Sequence, residues 1–475
     1  MLKKTKIKIL ILLISIISII IISGYFLIGS LIGSDKFKNL KSLLNDEQNQ
    51  LIKRYIFPYK LISQQQQIIS QQQQTIFQQS GTLNAFGFFS LLDLELLKKR
   101  DGSEIIIKDS IVKLSNNKTL KKYILFSGFY SGISLTFPGT GYIDFHMDNI
   151  IVLSSRGVLA FKKNIEDTEE NFQQIKNNIN EFIGINQFKK NKWFSLKDMF
   201  IFNNKVFLSY TEEIKKDCWN TSIIYGDMNY RDIEFKKLFS PKECVHSTNN
   251  IDKEFNAVQS GGKIISFDDG HILLSVGDYR SRHLAQDIKS VNGKIIKVNI
   301  NNGNYEIISM GHRNPQGLYF DKENNFILET EHGPLGGDEV NLIEVNKIKK
   351  DKIQNYGWAI SSAGEHYGGK SEANKIKYKK YPLYNSHIEH GFIEPIKSFV
   401  PSIGISKIIK IGQNRYVLGS MRDRSLYFFE LNEKKQIINL NKVNVFERVR
   451  DLRSKNNQLY LFMEDTASIG VINLN

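Results

Sequence analysis

The sequence contains only two cysteines, Cys218 and Cys244, among its 475 residues. It has no CxxC pair and no Cys/His spacing of the kind that binds zinc, which argues against a structural zinc site. Both cysteines fall within one apparent structural unit. In an exported protein such a pair can form a disulfide that stabilises the fold by about 3 kcal/mol. The alternative is two unrelated free thiols.

The sequence also lacks a dense basic stripe with interleaved aromatic residues. Lys and Arg number 64 against 49 Asp and Glu, which gives a net charge of +15. Basic proteins of this kind can bind nucleic acid or an anionic membrane. Here the lysines are scattered among Asn and Ile along the whole chain. We therefore interpret them as a solvated surface and expect no nucleic-acid partner.

A long uncharged run is present at the N-terminus. Four lysines within residues 3–8 precede an Ile/Leu-rich stretch over residues 9–33. A helix needs about 20 apolar residues to span a bilayer, and the flanking lysines predict a cytoplasmic N-terminus. We favour an uncleaved membrane anchor over residues 1–34, and a cleaved signal peptide is the alternative. Either hypothesis exports the rest of the chain, to the periplasmic side of the inner membrane if the source is bacterial.

Residues 35–80 are rich in Gln and Lys and include the stretch QQQQIISQQQQ. This composition is typical of a helical or partly disordered stalk. We predict that the folded domain occupies residues 81–475, although the part before residue 140 shows no clear pattern.

A strand module recurs six times along this domain. Each copy has an apolar run, a polar tip rich in Asp, Asn or Gly, and a second apolar run, often followed by a third. The copies begin near residues 142, 197, 262, 316, 406 and 447. Such repetition predicts an all-β fold, a six-bladed β-propeller, whereas a β-sandwich would not repeat one module six times. Functional residues should then lie in the loops around the central funnel.

The loop ETEHGPLGGDEVNLIE, residues 329–344, combines backbone freedom with negative charge. Its glycines allow the carbonyls of Gly333 and Pro334 to turn inward, and Asp338 and Glu339 supply carboxylates. Oxygen donors of this kind suit Ca²⁺. A glycine-rich turn with solvated acids is the alternative.

Several ordered motifs carry a family resemblance. GHRNPQGLYFD at 311–321, the loop EHGPLGGDEVN and NYGW at 355–358 follow AQDIKSVNGKIIKVN at 285–299. Taken together, these motifs resemble the soluble glucose/sorbosone dehydrogenase family. The resemblance implies a six-bladed propeller that uses pyrroloquinoline quinone (PQQ) and Ca²⁺.

The resemblance also implies roles for individual residues. The carbonyls of Gly333 and Pro334 would hold the Ca²⁺ that grips the quinone. Asp338, Glu339 and the carbonyl of Tyr356 would form a nearby calcium site, although the insertion KIKKDKIQ before Tyr356 departs from the family pattern.

The quinone carries carboxylates, so its pocket needs cations. Two arginines at positions i and i+2 of a strand would point to the same side and suit such a group. A lysine after the PSI sequence is also expected, for which Lys407 and Lys410 are the candidates. The residues that the resemblance assigns to the cofactor are Arg313, Asn314, Gln316, Lys410, Arg422 and Arg424.

The general base of the family is missing. The resemblance places a catalytic histidine where this chain has Gln259, and an amide has no useful proton affinity at neutral pH. Asp278 matches the companion acid, and either Asp278 or His332 is a possible replacement base. His312 and His271 are interpreted as structural.

Two functions of different classes follow. The favoured one is a membrane-anchored, extracytoplasmic quinoprotein that oxidises a sugar or alcohol and passes the electrons to an unknown acceptor, with Gln259, Asp278 and Arg313 at its catalytic site. The alternative is a calcium-stabilised propeller that only binds a partner and has lost catalysis with the histidine. A hydrolase is a third option, but no carboxylate cluster is visible beyond the calcium loop.

Overall fold

The computed structural model describes residues 111–115, 117–125, 140–167, 172–191, 193–349 and 352–475. The predicted anchor at 1–34 and stalk at 35–80 lie outside these residues. Within the described part of the chain, no helix is both long and apolar enough to cross a bilayer.

Six antiparallel sheets form the blades of a propeller, which confirms the predicted fold. Blade 1 contains Gly141–His146, Asn149–Ser154, Leu159–Lys162 and Gln173–Gln174. Blade 2 contains Leu196–Phe202, Lys205–Lys215, Cys218–Asp227 and Lys236–Phe239, and Val245–His246 pairs with its third strand. Blade 3 contains Gly261–Asp268, His271–Val276, Lys294–Asn299 and Tyr305–Met310, and Gln354–Asn355 runs parallel to the last of these.

The remaining three blades follow the same plan. Blade 4 contains Pro315–Asp321, Phe326–Glu331, Asp338–Glu344 and Lys397–Phe399. Blade 5 contains Ile405–Gly412, Arg415–Ser420, Ser425–Leu431 and Ile437–Asn444. Blade 6 contains Val449–Lys455, Gln458–Met463, Ser468–Asn473, Thr119–Ile124 and Ile111–Lys113. All six modules predicted from the sequence correspond to these blades.

Short elements lie between the blades. A two-stranded parallel sheet pairs Lys176–Asn177 with Asp232–Ile233. The described α-helices are Ile185–Lys190 and Lys375–Lys380, and the 3₁₀ helices are Ile179–Glu181, Arg282–Gln286, Val345–Lys347, Glu372–Asn374 and Ile388–His390.

Asparagines at the hairpin tips explain why the modules fold as they do. Asn203 and Asn204 both have positive φ angles (48° and 57°), as do Asn456 and Asn457 (49° and 58°). A two-residue turn with two positive φ angles matches the twist of the flanking strands, and asparagine tolerates this conformation. These tips fix the register of the first hairpins in blades 2 and 6.

The first strand of each blade lies innermost, and these six strands contact one another in a closed ring. Aspartates join successive blades within it. Oδ2 of Asp144 accepts a hydrogen bond from the backbone of Ile201 at 2.9 Å, and Oδ2 of Asp198 accepts one from Ile264 at 2.9 Å. Asp451 of blade 6 closes the ring by accepting from the backbone of Ile143 at 3.0 Å.

The N-terminal part of the domain completes the last blade. Thr119–Ile124 pairs antiparallel with Ser468–Asn473, and the side chains of Lys122 and Glu447 form an ion pair. The sequence pattern did not reveal these strands. The sheet of blade 6 therefore combines strands from the N-terminal and C-terminal parts of the domain.

The structure also joins Cys218 and Cys244 in a disulfide, with their Cα atoms 5.3 Å apart. Cys218 begins the third strand of blade 2, and Cys244 precedes the short strand Val245–His246 that pairs with it. The bridge thus secures the segment that leads from blade 2 to Gln259.

Candidate active site

Four loops from blades 3 and 4 meet at one end of the propeller. Gly261 pairs with Val276 in blade 3, and Pro315 pairs with Glu331 in blade 4. In each hairpin the start of the first strand therefore lies beside the end of the second. This geometry places residues 259 and 278 together in blade 3, and residues 313 and 332 together in blade 4.

Gln259 lies at the centre of this arrangement. In the amide orientation that satisfies both of its polar atoms, Nε2 donates to Oδ1 of Asp278 at 3.0 Å. Its Oε1 then accepts from Nη2 of Arg313 at 2.9 Å and from Nε of Arg280 at 3.1 Å. The structure thus brings together the three residues predicted for the catalytic site, and it adds Arg280, which sequence reasoning missed.

Asp278 is completely buried behind Gln259. Its Oδ2 accepts a hydrogen bond from the indole of Trp358 at 2.7 Å, and its Oδ1 accepts one from the backbone of Arg280 at 2.8 Å. Burial raises the pKa of Asp278 above its usual value, although the positive charge of Arg313 acts in the opposite direction. Asp278 is therefore a buried carboxylate with raised proton affinity, and its contact with the site is the hydrogen bond from Gln259. Trp358 belongs to the NYGW motif, whose tryptophan was given no role in advance.

Arg313 is buried and bridges the two blades. Nη1 donates to the carbonyl oxygens of His332 at 2.8 Å and Gly333 at 2.6 Å. Its guanidinium carbon lies 5.4 Å from the ring centroid of Trp358. A predicted calcium ligand, the Gly333 carbonyl, is therefore held by a guanidinium in this structure.

The carboxylate of Asp338, a predicted calcium ligand, accepts three backbone hydrogen bonds in this structure. Oδ1 accepts from the backbone of Gly333 at 3.1 Å, and Oδ2 accepts from Gly404 at 2.7 Å and Ile405 at 3.0 Å. An ionised carboxylate has about four acceptor positions, and these three donors occupy most of them. Asp338 thus fixes the loop and joins blade 4 to blade 5.

Gly337 shows why this loop requires glycine. Its φ angle is +69°, and a Cβ atom there would lie 2.4 Å from the backbone nitrogen of Gly364. The loop 333–337, which contains Pro334, is thus pressed against the segment after Trp358. No residue with a side chain fits at 337 without moving that segment.

A cavity of about 10 Å³ lies inside this loop. Its walls include Gly333, Gly337, Glu331 and Glu339, with Arg313 on one side. A space of this size holds one water molecule or one ion rather than an organic cofactor. Carbonyl and carboxylate oxygens suit Ca²⁺, so the wall chemistry fits this ion. Tyr356, whose carbonyl is a predicted calcium ligand, is not among the residues that line this cavity, and its buried hydroxyl donates to the carbonyl of Leu342 at 2.7 Å.

The amides after Arg313 face the axis of the propeller. Oδ1 of Asn314 accepts from the backbone of Gly261 at 3.2 Å and from Nε2 of Gln316 at 3.0 Å. Oε1 of Gln316 accepts from Nη1 of Arg450 at 3.3 Å. Arg450 was not predicted, because nothing in its local sequence distinguishes it from other strand arginines.

Of the two candidate lysines, Lys407 reaches the axis. It is buried, and its Nζ has no hydrogen-bond partner among the described residues. It lies 3.7 Å from Asp198 and 3.9 Å from Asp451, beyond normal hydrogen-bonding distance. These two carboxylates balance the charge of Lys407, but its ammonium hydrogens are left free to donate to an oxygen of a ligand.

The structure contradicts the assignment of Lys410. Its Nζ pairs with Asp321 at 3.0 Å and Glu323 at 2.7 Å. The strand begins at Ile405, which contacts His332, and Lys410 lies near the opposite end of that strand. The two lysines are three positions apart, about 10 Å along the strand. The sequence could not decide between them because both follow the PSI stretch.

Arg422 and Arg424 do not lie on a strand, so the prediction of a shared strand face is wrong. They belong to the exposed loop between Ser420 and Ser425. Arg424 has a φ angle of +52°, and its Nε lies 3.3 Å from Asp465. Since Ser420 pairs with Ile405, this loop is still at the same end of the propeller as His332.

His332 and His271 each contact a protein group that accounts for their position. Nε2 of His332 contacts the carbonyl of Ile405 at 2.5 Å, which assigns the proton to that nitrogen. Burial lowers the pKa of His332, which favours its neutral form. His271 lies at a hairpin tip and pairs with Asp268 at 2.7 Å. Neither is placed to remove a proton at Gln259.

Comparisons with known proteins agree with this geometry. The family model described as Glucose / Sorbosone dehydrogenase matches residues 194–472. The chain is 28% identical over 224 residues to the uncharacterized protein slr1608 of Synechocystis sp., and the match covers 41% of this chain and 50% of that protein. It is 22% identical over 294 residues to aldose sugar dehydrogenase YliI of Escherichia coli, covering 56% of this chain and 71% of YliI.

A further relative is quinoprotein glucose dehydrogenase B of Acinetobacter calcoaceticus, with 29% identity over 24% of this chain and 28% of that protein. The chain thus spans about half the length of slr1608 and less of the Acinetobacter enzyme.

Solved structures show the same fold. The apo form of the soluble aldose sugar dehydrogenase from Escherichia coli aligns with a TM-score of 0.55 at 20% identity, covering 70% of this chain and 94% of that one. A crystal structure of glucose dehydrogenase aligns with a TM-score of 0.54 at 20% identity, covering 70% and 95%. Because the family model matches more than half of the sequence, this chain belongs to the glucose/sorbosone dehydrogenase family.

Proposed function

We propose that this chain is a PQQ- and Ca²⁺-dependent dehydrogenase that oxidises a sugar or alcohol. The observation that carries the proposal is a buried ammonium group at the axis: Lys407 has no hydrogen-bonding partner among the described residues, although Asp198 and Asp451 balance its charge. Arg450 and Gln316 lie close to the same end. Sugar dehydrogenase relatives, one of them named a quinoprotein, support the same reaction class.

The residues of the site have separable roles in this proposal. Lys407 and Arg313 would bind the acidic groups of the cofactor, and the oxygen-lined cavity beside Gly333 would hold the calcium ion. When bound, PQQ supplies the hydride acceptor and Ca²⁺ polarises it as a Lewis acid. Asp278 would take the hydroxyl proton of the substrate, because its pKa is raised and Gln259 cannot bind that proton.

The location of the enzyme belongs to the same proposal. The lysine-flanked apolar run at 9–33 supports a membrane anchor with the propeller outside the cytoplasm. A disulfide between Cys218 and Cys244 is compatible with an oxidising compartment. The electrons would leave to an acceptor on that side of the membrane.

A non-catalytic binding module remains the second candidate. The observation in its favour is that both polar atoms of Gln259 and both oxygens of Asp278 already have protein partners. When all hydrogen-bonding groups of a site are paired with protein groups, none of them is left to bind a substrate.

The experiment compares two lysines on one strand. Purified full-length chain, Lys407→Met and Lys410→Met are titrated with PQQ in excess Ca²⁺ by calorimetry. We expect Lys407→Met to weaken binding at least about tenfold, the cost of one charge-assisted contact. Lys410→Met should bind as the parent does. The absence of PQQ binding by the parent chain would refute the proposal and favour the binding module.

A further inference from the structure

A second group of polar side chains is buried inside blade 4 and borders the candidate active site through Glu331. Glu329 and Glu331 lie on its second strand, and Asn341 lies opposite them on the third. His312 approaches from the turn before the first strand. Glu329, Asn341 and His312 are completely buried, and Glu331 is 3% exposed.

The hydrogen bonds of this cluster do not satisfy its oxygens. Nδ2 of Asn341 faces Glu329 at 3.0 Å, Glu331 at 3.2 Å and Glu339 at 3.4 Å. An amide has two hydrogens, so it cannot serve three carboxylates. Oε1 of Glu329 and Oδ1 of Asn341 have no hydrogen-bond partner among the described residues.

His312 adds a nitrogen that is aimed at the same point. Nε2 contacts Oγ of Ser309 at 2.8 Å, so Nε2 can carry the proton and leave Nδ1 with a lone pair. Nδ1 has no hydrogen-bond partner in the described structure, and it lies 3.5 Å from Glu331 and 3.8 Å from Glu329. A lone pair that faces two carboxylates is repelled unless a proton or a metal ion lies between them.

The spacing suits a metal ion. The ligand atoms of His312, Glu329 and Glu331 all lie within 4.8 Å of one another. Two ligands about 2.1 Å from a tetrahedral ion are about 3.4 Å apart, close to the shorter nitrogen–oxygen distances here. The second contact of His312, to Ser309, is the type of hydrogen bond that orients metal-binding imidazoles.

We propose that blade 4 holds a divalent first-row transition-metal ion such as Zn²⁺, bound by Nδ1 of His312 and the carboxylates of Glu329 and Glu331. Rotation of the Asn341 amide brings its unsatisfied Oδ1 to the ion as a fourth ligand. The imidazole nitrogen separates this site from the oxygen-lined calcium loop, since nitrogen donors favour zinc-like ions over Ca²⁺. The site requires no quinone.

The ion would also support the neighbouring active site. Oε2 of Glu331 accepts from the backbone nitrogens of Arg313 and Asn314. Glu331 therefore connects the ion directly to the turn that positions Arg313. An ion that neutralises the cluster holds this turn in place.

The test uses the full-length chain without PQQ, so its result is independent of the proposed dehydrogenase activity. Metal content is measured after purification, and the chelated protein is then titrated with Co²⁺, whose visible absorption reports nitrogen and oxygen ligands. We expect about one ion per chain and a rise in melting temperature on binding. His312→Gln and Glu329→Gln should each weaken Co²⁺ binding at least tenfold, while the hairpin control His271→Gln should leave it unchanged.

Two results would overturn the proposal. One is a purified wild-type chain with no first-row metal whose spectrum and melting temperature are unaffected by Co²⁺, a result that does not depend on any variant folding. The other is Co²⁺ binding that persists with full affinity in folded Glu329→Gln and His312→Gln, which would place the ion elsewhere.

Discussion

At the residue scale, Gln259 decides what chemistry the site can perform. Its amide holds the position that the family resemblance gives to a histidine, and it contacts Asp278, Arg280 and Arg313. An amide can relay a hydrogen bond but cannot accept a proton at neutral pH. Position 259 therefore lacks a general base, and the proton-accepting side chain next to it is Asp278.

Substitution of Gln259 by histidine tests this interpretation. Histidine beside Asp278 would restore a general base, which typically contributes a rate factor of about 10² or more. We expect Gln259→His to raise kcat of the PQQ-loaded enzyme and to add a pH dependence near neutrality, measured by dye reduction. Gln259→Asn is the control, and an equal effect of both variants would contradict the role of the base.

Asp278 gives a prediction about pH. Because burial raises its pKa in the folded state, the folded protein holds the proton more tightly than the unfolded chain. The contribution of this group to stability is present below the unfolded pKa, about 3.9, and is lost as pH rises through the folded value.

The parent chain should therefore lose stability over this window relative to Asp278→Asn, which does not titrate. Urea unfolding of both proteins from acidic to neutral pH measures the difference. A difference that stays constant with pH would show that the pKa of Asp278 is not raised.

At the element scale, the loop after the second strand of blade 4 depends on Asp338. Its carboxylate accepts three backbone hydrogen bonds and joins blades 4 and 5. Asp338→Ala leaves three buried donors without a partner, so we expect a loss of about 3 kcal/mol in the free energy of unfolding. Asp269→Ala, at an exposed hairpin tip, is the matched control. A loss below about 1 kcal/mol would favour the calcium-ligand hypothesis over this anchoring role.

The disulfide acts on a different element. It closes a loop of 26 residues between the third strand of blade 2 and the segment before Gln259. Replacing both cysteines by serine should lower the free energy of unfolding by about 3 kcal/mol, measured by urea denaturation. Reduction of the parent chain should reproduce the loss, and no loss in either experiment would mean that the bridge does not form.

Particular elements show what could be predicted from the sequence. The hairpin turn FNNK in blade 2 could be predicted from its two asparagines and from the alternation of apolar and polar residues on either side, and it lies where predicted. Arg422 and Arg424 were assigned to a strand because their spacing of two matches one, but the strand ends at Ser420. Arg280 and Trp358 come from segments far apart in sequence, and only the fold shows that they meet at Asp278 and Gln259.

At the scale of the whole molecule, completion of blade 6 depends on the strands before residue 125. Thr119–Ile124 completes blade 6, and Lys122 pairs with Glu447 across the junction. A chain that begins after Leu125 would expose the edge of Ser468–Asn473, and unpaired edges promote aggregation. We expect such a truncation to lose cooperative unfolding, whereas a chain that begins at residue 81 should retain it. Both are compared by thermal denaturation and size-exclusion chromatography.

The central claim is that this propeller oxidises sugars or alcohols with PQQ. The most direct measurement loads the full-length chain with PQQ and Ca²⁺ and follows the reduction of an artificial acceptor dye across a panel of aldoses and alcohols. The account predicts substrate-dependent reduction that requires both PQQ and Ca²⁺ and is lost in Arg313→Ala. Tight PQQ binding without reduction of the dye by any substrate, or no PQQ binding at all, would contradict it and leave a binding module.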